Sequence, residues 1–377
     1  MKSLAFFAFY CTAVLAVPTV YDNGAQAEEC TTDVCLSSDG CRCATSVSPL
    51  NSDQTPPQLI SLTFDEAVTE NLYNNFWQPL LSNRTNPDGQ PISATFFVPH
   101  EYTDYVKVNA LYNVGYEIAV HSITKNSRQA YWRGASEELL KQEFGGQKKI
   151  LHKFANIPEE DIVGVRTPQL QLAGDNSIKA YQDAGLSYDS SWPTLADIPL
   201  YPYTLDYLSS QQCLLGNKCP TEAFKGFWIL PVIDLHGENN EACNNLAACN
   251  VVGTAEEISD WLLDEINQIR DSTRAPLTLL INSNWFSLTE NSYDGFTRFL
   301  DTLETYSDVF LVSQKQVLDW MKNPVQVSEY KTGFAEGTAQ CMAYTCNLHK
   351  SDGAVRYMKS CIRCPESYPW LDNPEGN

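Results

Sequence analysis

An α/β fold with parallel strands is predicted by the alternation of short apolar runs and helix-like stretches that begins near residue 57 and continues to about residue 323. Two further observations agree. The chain has 377 residues, enough to bury a barrel-sized core, and it contains no internal repeat or low-complexity linker. The pattern alone admits either a closed barrel or an open doubly wound sheet.

The apolar runs at 59–64, 94–98, 117–121, 162–166, 186–190, 227–235, 276–283 and 308–312 read as strands. Between them, 102–114, 136–154, 177–184, 254–269 and 293–306 carry helical spacing. Thr254 followed by Glu257 is a capping box, which marks a helix start. In parallel barrels the chemical groups sit just past the C-terminal ends of strands. That rule selects Asp65, His121, Arg166, Asp189 and Asn282.

The chain opens with Met1, Lys2 and Ser3, followed by an apolar run over 4–15. Small residues at Val14 and Ala16 predict a signal peptide over 1–16, cleaved after Ala16. The run is too short for a membrane anchor, and secretion is expected. Of 13 cysteines, Cys11 leaves with the signal and 12 remain. The even number suits disulfides in an oxidising compartment. They lie in groups: Cys30, Cys35, Cys41 and Cys43; Cys213, Cys219, Cys243 and Cys249; Cys341, Cys346, Cys361 and Cys364. Their short spacings also occur in zinc sites, but few histidines lie nearby, which favours disulfides; the pairing is not legible. The expected layout is a Cys-rich extension over 17–56, a barrel over 57–323 with a four-cysteine insertion near 200–250, and a C-terminal extension over 324–377 packed on the barrel. A formal charge of −21 argues against nucleic acid and anionic membranes as partners. Asn83-Arg84-Thr85 is a glycosylation sequon.

Four ordered blocks carry the chemistry: Thr63-Phe64-Asp65-Glu66-Ala67, His121-Ser122-Ile123-Thr124-Lys125, Arg166-Thr167-Pro168-Gln169-Leu170-Gln171 and Asp189-Ser190-Ser191-Trp192-Pro193. With Ala94-Thr95-Phe96-Phe97-Val98 and Trp285-Phe286, this set resembles the short insect chitin deacetylases, polysaccharide deacetylases of carbohydrate esterase family 4. The resemblance spans roughly residues 30–370. It implies a distorted (β/α) barrel with disulfide-rich N- and C-terminal extensions, a chitin or chitin-oligosaccharide partner, and metal-assisted amide hydrolysis. It further implies Asp65 as catalytic base, His121 as a metal ligand and Arg166 as the residue positioning the base. Asp189 and Trp192 would support the arginine and wall the sugar pocket. Gln169 would present an oxyanion-binding N–H, Leu280 would sit beside the acetyl methyl, and Trp285 would line the groove.

Three positions depart from the family. Glu66 stands where a metal-binding aspartate belongs, Lys125 where a second histidine ligand belongs, and Asn282 where the acid histidine belongs. An ammonium has three donors and no lone pair, and an amide cannot deliver a proton. Losing the general acid alone costs on the order of 10²–10⁴ in rate. The expectation is therefore a chitin-binding protein with lost or strongly impaired activity and no bound cofactor, zinc being the ion expected were the site still functional. An ion pair from Lys125 to Asp65 and Glu66 is expected to replace the metal. An active metal-dependent chitin deacetylase and a secreted structural protein without sugar binding are the alternatives. A monomer located extracellularly, in the insect gut lining, completes the reading.

Overall fold

The computed structural model describes residues 26–377; the signal-peptide expectation over 1–16 lies outside the described residues. Nine strands form the main sheet: β1 (Gln58–Phe64), β2 (Thr95–Pro99), β3 (Glu117–Ser122), β4 (Gly164–Val165), β5 (Tyr188–Asp189), β6 (Tyr203–Leu205), β7 (Phe224–Ile229), β8 (Leu277–Ile281) and β9 (Val309–Leu311). Their spatial order is β8-β1-β2-β3-β4-β5-β7-β6, with β9 paired to the first half of β1. Every pairing is parallel except β6 with β7. Among the described residues no ladder joins β8 to β6, so the curled sheet is a barrel with an open seam; Asn245 makes a single parallel bridge to Leu280 on β8. The open doubly wound alternative is excluded by this curled arrangement.

All seven residues of β1 are buried, as expected for a parallel strand covered on both faces. The helix Ala255–Arg270 starts at the predicted capping box: the Thr254 hydroxyl accepts from Glu257 N–H while the Glu257 carboxylate accepts from Thr254 N–H. The predicted long helix over 136–154 is interrupted by a π-turn at Lys141–Gly145. Paired glycines there weaken the regular ladder, and Gly146 lies so close to Ile123 that a Cβ would meet its side chain at 2.8 Å.

The cysteines pair within their groups: Cys30–Cys43, Cys35–Cys41, Cys213–Cys219, Cys243–Cys249, Cys341–Cys361 and Cys346–Cys364. The N-terminal segment runs along β6, with Tyr201 N–H donating to Thr45 and Thr204 N–H to Arg42. The C-terminal segment folds into an antiparallel hairpin, β10 (Tyr344–His349) and β11 (Val355–Ser360), tied to the rim by an Asp104–Lys359 bridge.

One ion cluster staples the barrel base. Asp308, just before β9, accepts from Arg270 at 2.8 and 3.0 Å and from Arg274 at 2.9 Å. Burial raises its carboxyl, but the two guanidinium groups outweigh this and hold it below the ordinary carboxylate range. A depressed folded-state pKa contributes stability above the unfolded value of about 4, lost as pH falls below it. Asp308→Asn is therefore expected to cost about 2 kcal/mol at neutral pH. The difference from wild type should shrink in urea titrations run at progressively lower pH.

Candidate active site

Strand register sets the site. Phe64 aligns with Ile281, so Asp65 and Asn282 emerge side by side; Val120 aligns with Val165 and Val165 with Asp189, which brings His121, Arg166 and Ser190 together. The blocks separated in sequence thus converge at the C-terminal end of one sheet.

Arg166 is the fixed centre. It is fully buried; its Nε donates to Ser190 carbonyl (2.8 Å), one terminal nitrogen to Thr63 Oγ1 (2.8 Å) and the other to Ser190 Oγ (3.1 Å). The guanidinium lies 4.2 Å from the Phe97 ring centroid. Burial lowers its pKa to about 10, opposed by the Asp65 carboxylate. Its carbonyl accepts from His121 Nδ1 at 2.8 Å. A carbonyl only accepts, so Nδ1 carries the proton and the lone pair of His121 is on Nε2. Burial depresses His121 to about 3, which keeps it neutral.

Asp189 makes no direct ion pair with Arg166, and its carboxylate favours the guanidinium through charge alone. Its carboxylate accepts from Ser191 N–H (2.9 Å) and Ser191 Oγ (2.6 Å), and Ser191 Oγ accepts from Thr167 N–H (2.7 Å). The aspartate therefore fastens the segment after Arg166, and burial raises its pKa to about 6. Thr63, Ser190 and Ser191, absent from the sequence-derived site, do the work of holding the guanidinium and its loop. They sit inside the quoted blocks, where a hydroxyl next to a buried arginine was the available signal.

Asp65 and Glu66 differ in charge state. Burial pushes Asp65 up, but the His121 imidazole and the Lys125 and Arg166 cations outweigh it and hold the carboxyl below its ordinary value. Glu66 is raised to about 7, first by burial and further by Asp65, against the Ser283 N–H that donates to it. Lys125 corrects the expected ion pair: its ammonium donates to the main-chain carbonyl of Asp65, and it makes no ion pair with either carboxylate. A lysine at φ 43, with its N–H bonded to Ser122 Oγ at 3.0 Å, is aimed back toward the β1 loop. The charge balance at the site is met by a lysine and an arginine facing one ionised and one partly protonated acid.

Glu143 was not foreseen. Buried in the π-turn, its carboxylate accepts from Ile123 N–H (3.0 Å), Thr124 N–H (2.9 Å), Thr124 Oγ1 (2.5 Å) and Tyr131 Oη (2.7 Å), and so holds the loop between His121 and Lys125. Its signal was an acid set between Leu140 and Phe144 on an apolar stripe.

The remaining expected residues divide. Gln169 is exposed in a turn at φ 60, with Leu170 at φ 52. Leu280 is buried on β8. Asn282 caps the helix Ser283–Leu288, its Oδ1 accepting from Asn284 N–H at 2.9 Å. Trp192 and Trp285 are 0% and 1% exposed, so neither offers a ring face to a sugar, which corrects the groove-lining expectation. Trp192 donates its indole N–H to Gln212 carbonyl at 3.0 Å, beneath the loop that bears Cys213. Trp285 packs on Phe296, and the half-buried Phe286 stacks on Phe76 at 5.8 Å instead. Asn83 is exposed.

These residues do not fit a divalent ion. Asp65, Glu66 and His121 are the ligand types present, yet their donor atoms do not gather within 4.8 Å of one another; among the described residues only Cys30, Cys35 and Cys43 do so, and these are in disulfides. No other histidine replaces the missing ligand: His100 bonds Tyr105 Oη (2.6 Å), His152 bonds Ile157 carbonyl (2.7 Å), His236 pairs with Glu265 (3.2 Å), and His349 lies on the C-terminal hairpin.

The open-seamed parallel barrel with acid, histidine and arginine at its strand ends defines a polysaccharide deacetylase fold. A putative polysaccharide deacetylase from Mycobacterium smegmatis shares it at a TM-score of 0.50 and 16% identity, over 74% of this chain and 95% of that one. Chitin deacetylase 8 of Bombyx mori is 35% identical over 97% of this chain and 98% of its own length, and chitin deacetylase 1 of the same insect is 30% identical over 93% and 69%. The chain belongs to the chitin deacetylase family. No protein-family model matches it.

Proposed function

We propose that this protein is a secreted chitin-binding member of its family whose deacetylase activity is lost or strongly impaired. The observation that carries the reading is the Lys125 ammonium bonded to the Asp65 carbonyl, where the resemblance calls for a histidine lone pair. Asn282, in the acid position, is engaged as a helix cap and has no proton to give. What survives is a scaffold: Asp65 kept ionised, His121 kept neutral with Nε2 free of a protein partner among the described residues, and Gln169 exposed in the turn after Arg166. Of these, the part-exposed Asp65 and the exposed Gln169 can meet an acetamido sugar by hydrogen bonds without hydrolysing it, while His121 stays buried beneath the surface.

Secretion is supported by the apolar run over 4–15, six disulfides and the exposed Asn83 sequon. Among the described residues no helix is long and apolar enough to cross a membrane. A monomer at an extracellular chitin surface, such as the insect gut lining, fits this reading. After dialysis against zinc, elemental analysis is expected to find less than about 0.1 ion per chain. Pull-down on chitin should retain the protein, and acetate release from N-acetylglucosamine oligomers should fall at least ~10²-fold below an active relative. One zinc per chain with measurable acetate release would establish the active alternative.

A further inference from the structure

We propose that a second sugar-contacting cleft lies on the strand-end rim beside the candidate active site. It is formed by Tyr102 of the barrel and Tyr357 of the C-terminal hairpin, and it takes a neutral N-acetylated glycan chain. The inference rests on the reading that the protein binds chitin, and it extends that binding onto the cysteine-bearing hairpin.

The cleft holds about 360 Å³ and is lined by Thr69, Glu70, Tyr102, Asp104, Tyr357 and Lys359, among others. Its position follows from topology. Thr69 and Glu70 continue the β1 loop that begins with Asp65 and Glu66, while Tyr102 and Asp104 belong to the loop after β2. The two loops are bonded to each other: Asp104 N–H donates to Val68 carbonyl (2.7 Å), Val68 N–H to Thr103 Oγ1 (3.3 Å), and Thr103 Oγ1 to Pro99 carbonyl (2.6 Å). The cleft floor is thus rigidly continuous with the loop that carries the catalytic-type acids.

Tyr102 and Tyr357 are 69% and 72% exposed, the two most exposed aromatic side chains among the described residues, and both line this one cleft. Neither exposure is accidental to its strand or loop. Tyr357 alternates with Met358, which is 2% exposed, so β11 turns one face inward and presents the tyrosine outward. Tyr102 adopts φ 70, a left-handed backbone that an aromatic residue rarely takes and that persists only where the surroundings hold it. Held there, its ring faces solvent with the Arg356 guanidinium 6.0 Å from the centroid.

The charge pattern selects the ligand. Lys359 Nζ is 2.9 Å from Glu70 and 3.3 Å from Asp104, so the one lysine of the cleft is shared by both carboxylates and leaves it with a single residual negative charge. A polyanion or polycation would have to compete with those pairs. A neutral polymer of hydroxyl and acetamido groups needs only hydrogen bonds and apolar ring faces, which stack on tyrosine.

The test is calorimetric binding of the N-acetylglucosamine hexamer to the full-length secreted protein and to Y102A, Y357A, the double variant, and the ring-preserving Y102F and Y357F. Each alanine variant is expected to raise Kd about 3- to 10-fold, and the phenylalanine variants to stay within about twofold of wild type. Exposed positions should leave the thermal midpoint unchanged. A double variant that binds the hexamer as tightly as wild type overturns the cleft while leaving chitin binding intact. Wild-type protein that neither binds the hexamer nor is retained on chitin overturns the underlying reading together with it.

Discussion

Replacing Glu66 by Asp and Lys125 by His together is expected to turn a chain that retains less than about 0.1 zinc after dialysis into one that holds about one equivalent. The ground for this is already laid in the fold. His121 Nδ1 donates to the Arg166 carbonyl, the orientation that presents Nε2 as a ligand, and Arg166 is fixed by Thr63 and Ser190. Lys125 is the obstacle, because its ammonium occupies the approach to the β1 loop and offers no lone pair. The shorter aspartate should also leave the Ser283 N–H that now engages Glu66. Adding N282H supplies a group able to protonate a leaving amine, and acetate release should rise on the order of 10²–10⁴ over the double variant. That third change also removes the Asn282 cap on Ser283–Leu288, at about 1 kcal/mol. Elemental analysis and acetate release measure the two steps separately. Zinc retained equally by wild type and the double variant would mean that Lys125 yields its place to a metal, and the pseudoenzyme reading would fall.

Most of the barrel was legible because parallel strands are buried on both faces and announce themselves as short apolar runs: β1, β2 and β3 begin and end within a residue or two of 59–64, 94–98 and 117–121. The seam was not, since β6 lies within the insertion near 200–250 and its pairing with β7 alone joins segments that no apolar run marks as neighbours. At the site, the order of the blocks fixed which residues would meet, but not their partners. Asp189, expected to support the arginine, acts on it through charge only, its hydrogen bonds going to Ser191 of its own loop. Trp192 and Trp285 were expected at the sugar groove from the resemblance and are core, since a matching motif position does not decide between a buried ring and one at a rim. The exposed tyrosines at 102 and 357 carried no signal, their meeting being a product of how the hairpin docks.

Arg166→Met is expected to destabilise the protein by about 3–4 kcal/mol, read as a lowered urea midpoint. The methionine fills the volume but leaves the Ser190 carbonyl and hydroxyl without a donor in a site closed to water; Thr63 Oγ1 keeps only its bond to the Leu279 carbonyl at 2.9 Å. Asp65 also loses one of the cations that keep it ionised. Arg166→Lys should recover only part of the loss, because one ammonium cannot span three acceptors held in a fork on two strands. This separates the positions that changed from those that did not. Glu66, Lys125 and Asn282 stand on loops after strands, where a new side chain finds a new partner at little cost. Arg166 and His121 are buried between strands and hold β1, β3, β4 and β5 in register, so their chemistry can be lost while their identity is required by the fold. A midpoint for Arg166→Met within about 0.5 kcal/mol of wild type, coupled with lost chitin retention, would instead place the arginine in sugar binding.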